Sequence, residues 1–221
     1  MMKRRRATTN SRWVYILMTI TMLTLCPGCF EQLATLMYVV KGHKIPPKYA
    51  GLNSKKVAVV CVSDQSAYGP DTLTYTVAKS VSLKLSQGLK ESQVISPAKI
   101  EDWMDQNSWS ASDIAVMGKD LKADMVVMIE VGSYSIHEGA TIFKGRADIT
   151  VSVHDIAKEG QVTYVHGPEH YAFPKDGRPV IQTDERRFES FYLARLTDRI
   201  SRLFVEHDKL DSFAEDAMLN Y

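Results

Sequence analysis

The residues of this chain best placed to do chemistry are His166 and His170, with Glu169 beside them. His166-Gly-Pro-Glu-His170 has the spacing H-x-x-E-H. In that motif two histidines bind zinc from one face of a helix and the glutamate serves as base. The chemistry needs a helix, and Gly167-Pro168 inside the motif breaks one. The segment is therefore expected to be a loop with solvent-facing histidines, and no metal is expected. Two further pairs, His137-Glu138 and His154-Asp155, fall at strand ends. Neighbours along a strand point to opposite faces, so neither pair addresses one substrate atom. Asp64 and Ser66 follow an apolar strand, a position where α/β sheets bind ligands. No glycine-rich phosphate loop and no G-x-S-x-G elbow surrounds them. No catalytic residue, cofactor site or metal site is assigned, and the chain is expected not to be an enzyme. Cys61, inside the apolar run Val57–Val62, is expected to be a small buried hydrophobe rather than a reactive thiol.

The chemistry that remains is at the front. Lys3, Arg4, Arg5, Arg6 and Arg12 precede an apolar run, Trp13–Cys26, and then Pro27-Gly28-Cys29. A run of about 14 residues is short of the ~20 that cross a bilayer and suits the apolar core of a signal peptide. A small residue directly before a cysteine resembles the bacterial lipobox, which makes Cys29 the expected lipidation site and new first residue. Five of the 27 basic residues precede Cys29, leaving 22 against 26 acidic ones. A mildly acidic mature part argues against nucleic acid as a partner. Cleavage and acylation leave Cys61 without a disulfide partner.

The elements that must position any site follow from periodicity. Val57–Val62 is a continuous apolar, β-branched run, as a strand buried on both faces requires. Leu73, Val77, Val81 and Leu85 recur every four residues, one face of an amphipathic helix over 71–90. Val94-Ile95 is a short strand. Ser96-Pro97 opens a helix carrying Ile100, Trp103 and Met104, and Ser112-Asp113 opens another. Met125–Val131 is a second apolar strand. Ala147, Ile149, Val151 and Val153 alternate with polar residues, as in a half-exposed antiparallel strand, and Gln161–Val165 is its expected hairpin partner. A loop containing Pro168, Pro174 and Pro179 leads to a closing helix from Asp184 to His207. Its inner face is expected to hold Phe188, Phe191, Leu196, Ile200, Leu203 and Phe204. The lysines Lys84, Lys90, Lys119 and Lys122 are expected on solvated helix faces. The order is strand, helix, strand, two helices, four strands and a helix. This predicts an α/β (α+β) fold, a mixed and mostly antiparallel-edged sheet with helices packed on two faces. The expected division is a signal peptide 1–28, a lipidated tether 29–54, an α/β domain 55–210 and a tail 211–221.

Lys56-Val-Ala-Val-Val-Cys-Val62, the helix after it, the corner Val94-Ile95-Ser96-Pro97 and the turn Lys122-Ala-Asp124 into an apolar strand occur in an order with a precedent. It resembles the envelope domain shared by CsgG-type secretion lipoproteins, LpoB-type peptidoglycan-synthase activators and the N-terminal domain of TolB. The likeness spans about residues 55–155. Ser63-Asp64 stands where CsgG-type proteins show Pro-Phe, and the chain has no room for their barrel-forming insertions. The section from Gly167 onward resembles uncharacterised envelope lipoproteins of planctomycete type.

The expected function is that of a non-enzymatic, membrane-tethered lipoprotein of the cell envelope with an accessory or binding role in assembly or secretion. Its partners would be the membrane, through lipid on Cys29, and an envelope protein or the cell wall. It would face the periplasm, and Phe30 after Cys29, in place of a retaining aspartate, points to the outer membrane. Two alternatives stand beside it. One is a membrane-anchored hydrolase with a site near Asp64, Glu169 and His170. The other is an oligomeric secretion component.

Overall fold

The computed structural model describes residues 44–63, 72–110, 113–139, 142–174 and 184–208. The signal segment, Cys29, Asp64, Ser66 and the tail 211–221 lie outside them. Five strands form one mixed sheet: β2 (Lys56–Ser63), β3 (Gln93–Val94), β4 (Met125–Glu138), β5 (Ile142–Asp155) and β6 (Gln161–Phe173), in the order β3-β2-β4-β5-β6. β2 is parallel to both neighbours, and β4-β5-β6 is antiparallel. Four helices pack on the sheet: α1 (Thr72–Gly88), α2 (Pro97–Asn107), α3 (Ile114–Asp120) and α4 (Glu185–Ser201). The fold is α/β, as the periodicity predicts.

β2 is apolar throughout because both of its faces are covered. Val57, Val59 and Cys61 join a core with Val77, Val81 and Leu85 of α1 and Phe188, Tyr192 and Leu196 of α4. Ala58 and Val60 point the other way, to Ile100 of α2 and Ile114 and Met117 of α3. Cys61 is 7% exposed, the buried small hydrophobe expected. β5 alternates because only one of its faces is covered. Ala147, Ile149, Val151 and Val153 enter the first core, and no residue of β5 or β6 enters the second.

Several boundaries differ from the sequence expectation. Three long strands, not four, separate α3 from α4 among the described residues. β4 changes character along its length, fully buried at Met125–Ile129 and alternating beyond Val131, so one strand carries two periodicities. β6 continues past Val165 through Pro168 to Phe173, where a loop was expected. Pro168 is tolerated because β6 is the edge of the sheet and needs no donor on its outer side. α4 stops at Ser201, and Leu203 and Phe204 are buried in the turn that follows. The tether boundary also moves. Lys44–Ile45 (β1) pairs with His207–Asp208 (β7), Tyr49 stacks on Tyr164 at 4.9 Å, and Leu52 is fully buried. Residues 44–54 thus belong to the folded body, because Tyr49 and Leu52 give this polar stretch two apolar anchors.

Candidate functional site

The sheet takes the His166-Gly-Pro-Glu-His170 motif apart. Glu169 lies opposite Ile149 and faces α4, while His170 lies opposite Asp148 and faces away. One extra residue at Gly167-Pro168 shifts the register between Ile149 and Val151, which brings His166 to the same face as Glu169. There His166 Nε2 is 2.8 Å from Glu169 Oε2, and Arg199 of α4 caps the other carboxylate oxygen. Burial pushes the Glu169 carboxyl up, but the hydrogen bonds from His166 and Arg199 together outweigh it and hold it below its ordinary value. The group ties an edge strand to a helix.

On the opposite face, His170 Nδ1 is 2.7 Å from Asp148 Oδ1, and Ser133 Oγ donates to the other oxygen of the same carboxylate. Ser133 first, and His170 second, lower the Asp148 carboxyl. The hydroxyl bonds the acid rather than the imidazole, so this is not the nucleophile–base order of a hydrolase. Glu169 and His170 do not converge on one pocket. His154 is occupied on both nitrogens, by Ser152 Oγ at 2.9 Å and the Gly160 carbonyl at 3.0 Å. His137 lies 3.2 Å from Glu185, joining β4 to the start of α4. No group of three metal-ligating side chains occurs among the described residues. Lys84 and Lys119 are not free surface charges: each makes a 2.7 Å ion pair, with Asp198 and Glu159.

A concave site with room for a ligand lies away from these pairs, at the C-terminal end of β2. The chain leaves β2, forms α1 over one face and returns as β3. It then crosses by α2 and α3 over the other face to become β4 on the far side of β2. Connections diverge to opposite faces at this point, which is where open α/β sheets bind ligands. β3 pairs with β2 only at Lys56 and Val57, so it stops short of Val59–Ser63. A crevice of about 460 Å³ opens there between α1 and α2. Its apolar lining includes Ala78, Ile100 and Met104, with Tyr75 and Trp109 as aromatics. Its acids are Glu101 and Asp105, one helical turn apart on α2. Burial, then the charges of Asp105 and Asp102, push the Glu101 carboxyl above its ordinary value. Sequence reasoning passed over both acids because charges on an exposed helix usually have no role. The available signal was an i, i+4 acidic pair with no basic residue between them.

No family model and no curated relative matches the chain. Among solved structures it is similar to the lipoprotein GNA1162 from Neisseria meningitidis, at 16% identity and TM-score 0.43, over 66% of this chain and 97% of that one. It is similar to the PelC dodecamer from Paraburkholderia phytofirmans at 15% identity and TM-score 0.43, over 73% and 95% of the two chains. The LpoB C-terminal domain from Salmonella enterica matches at 8% identity and TM-score 0.36, over 54% and 82%. Bacterial lipoproteins are thus among the structures this chain resembles, and likeness this distant carries no role across to it.

Proposed function

We propose that this chain is a non-enzymatic lipoprotein of the cell envelope, held to a membrane by lipid on Cys29, whose α/β body binds an envelope protein or the cell wall. The observation that carries this reading is the order of the first 29 residues: a basic stretch without acids, a short apolar run, and Gly28 directly before Cys29. The described body supports it, with its first strand at Lys44–Ile45. Residues 30–43, at no more than about 3.6 Å each, reach at most about 50 Å, so the body stays close to the bilayer. The periplasm is its compartment, and Phe30 after Cys29 favours the outer membrane. Intact mass of the protein from its membrane fraction tests the reading. Wild type is expected as a chain cut before Cys29 with acyl groups added, and Cys29→Ala is expected to lose that species. An unmodified full-length chain, or one cut elsewhere without lipid, would overturn it.

A further inference from the structure

We infer that residues 209–221 dock as an amphipathic helix on the groove bounded by β1, β5, β6 and α4, with Leu210 and Phe213 seated in it. The groove holds about 230 Å³. Its floor is Ile149, Val151, Ile200 and Leu203, and Ile45 of β1 forms one wall. Ile45 is 39% exposed, one of the few large apolar side chains left open among the described residues. The rim is basic. Lys48, Arg199 and Arg202 line it against one acid, Glu169. Lys48 has no ion-pair partner among the described residues. Asp198, which pairs with Arg202, is shared with Lys84. The rim therefore keeps an excess of positive charge.

The chain itself supplies the occupant. β7 pairs with β1, Ile45 stands opposite His207, and His207 lines the groove, so the chain leaves the body at the groove's edge. Three residues reach no further than about 11 Å, which keeps Leu210 within reach of Ile45. From there Leu210, Phe213, Ala214, Ala217, Met218 and Tyr221 recur at helical spacing and make one apolar stripe. A helix this short is marginal alone in water and needs a surface for its stripe. The rest of the segment carries Asp211, Glu215 and Asp216 against Lys209, an excess of negative charge that complements the rim. Other occupants fit worse. Residues 30–43 meet the body at the same corner, but Glu31 and Lys41 balance each other there and the segment leads to Cys29. A phosphate group would meet the rim and leave Ile45 in water.

The test uses the full chain in detergent micelles with isoleucine and leucine methyl groups labelled. Cross-relaxation between the methyls of Leu210 and Ile45 is expected. Amide exchange over 213–218 is expected to be at least about tenfold slower than in a free chain. Leu210→Ser/Phe213→Ser is expected to abolish both effects and to shift the Ile45 methyl. Ile100, in the core on the other side of the sheet, is expected to keep its resonance as proof of folding. Lys48→Glu, at an exposed position of the rim, is expected to speed exchange over 213–218 by about two- to fivefold. In a mixture of leucine-labelled and isoleucine-labelled chains the contact is expected to vanish. Its persistence there would give the groove to a second copy's segment and overturn the proposal. Free-chain exchange over 213–218 would overturn it too, as would contact of Leu210 with micelle acyl chains in place of Ile45. A shift of Ile45 by inorganic phosphate with 213–218 exchanging freely would assign the groove to an anion instead. None of these outcomes depends on lipid at Cys29.

Discussion

The two halves of the sheet are built to different rules. The parallel half, β3-β2-β4, is covered on both faces, by α1 and α4 on one side and α2 and α3 on the other. The antiparallel extension, β5-β6, is covered on one face only, by α4 together with Tyr49 and Phe204. Its second face is open, with Asp148, Thr150, Ser152 and His170 along it and Val162 and Val165 at 46% and 57% exposed. At Val57–Cys61 of β2 and Met125–Ile129 of β4 every polar substitution meets a core; in β5 only alternate positions do. The candidate ligand site belongs to the doubly covered half, where two helices rise past a short strand and leave space between them. The open half carries the histidine–carboxylate pairs, which serve as ties between strands and helix.

The largest effect is expected where the open half depends on a single cover. Tyr192 is fully buried, stacks on Tyr171 at 5.7 Å and donates its hydroxyl to the Tyr171 carbonyl at 3.0 Å. Gly145 has no side chain because a Cβ there would lie inside the Tyr192 ring. Tyr192→Ala is expected to lower unfolding free energy by about 3–5 kcal/mol. In hydrogen exchange, the amides of β5 and β6 are expected to lose protection before those of β2. Equal loss in all strands would make the sheet one cooperative unit and dissolve the distinction between its halves.

The same distinction explains what the sequence disclosed. Val57–Val62 and the alternation Ala147–Val153 are direct images of double and single cover, and the four-residue spacing Leu73–Leu85 marks the inner face of α1. The misses fall where one element serves two environments. β4 passes from the covered half into the open one, so its later alternation looks like a separate strand. β6 sends Glu169 to α4 and His170 to the open face, so neither periodicity survives, and Gly167-Pro168 has the composition of a turn. Tyr192 was missed because its hydroxyl suggests exposure, although the carbonyl of Tyr171 satisfies it. The crevice was illegible because it depends on β3 ending after two residues, a tertiary fact that leaves no periodic trace.

A matched pair of swaps sharpens the comparison at intermediate size. Val60 is 2% exposed in the doubly covered half, whereas Thr150 stands on the open face of β5. Val60→Thr buries a hydroxyl without a designed acceptor and is expected to cost about 1–3 kcal/mol. Thr150→Val is expected to change stability by no more than about 0.5 kcal/mol. Denaturant midpoints with equal slopes measure both. A comparable cost for Thr150→Val would mean that something covers the open face in solution, most simply the binding partner proposed for the body or a second copy of the chain.

The smallest effect concerns the tie between β6 and α4. The Glu169 carboxyl is lowered from the ordinary 4.5, its burial being outweighed by the hydrogen bonds from His166 and Arg199. A carboxyl that is more acidic folded than unfolded adds stability above its unfolded value and loses it as pH falls through the folded one. The contribution is therefore complete at neutral pH and expected to disappear below about 4.5, the ordinary value. With Glu169 and Arg199 still partly exposed, its size is expected at about 1 kcal/mol or less. Glu169→Gln should remove it, so the stability difference between wild type and variant should be greatest at neutral pH and shrink in acid. Other carboxylates titrate in the same range, and the difference between the two proteins cancels them. A difference that stays constant with pH would show that Glu169 holds α4 to the edge strand by shape and neutral hydrogen bonds rather than by charge, leaving the guanidinium of Arg199 over the Tyr171 ring as a charged contact between that strand and the helix.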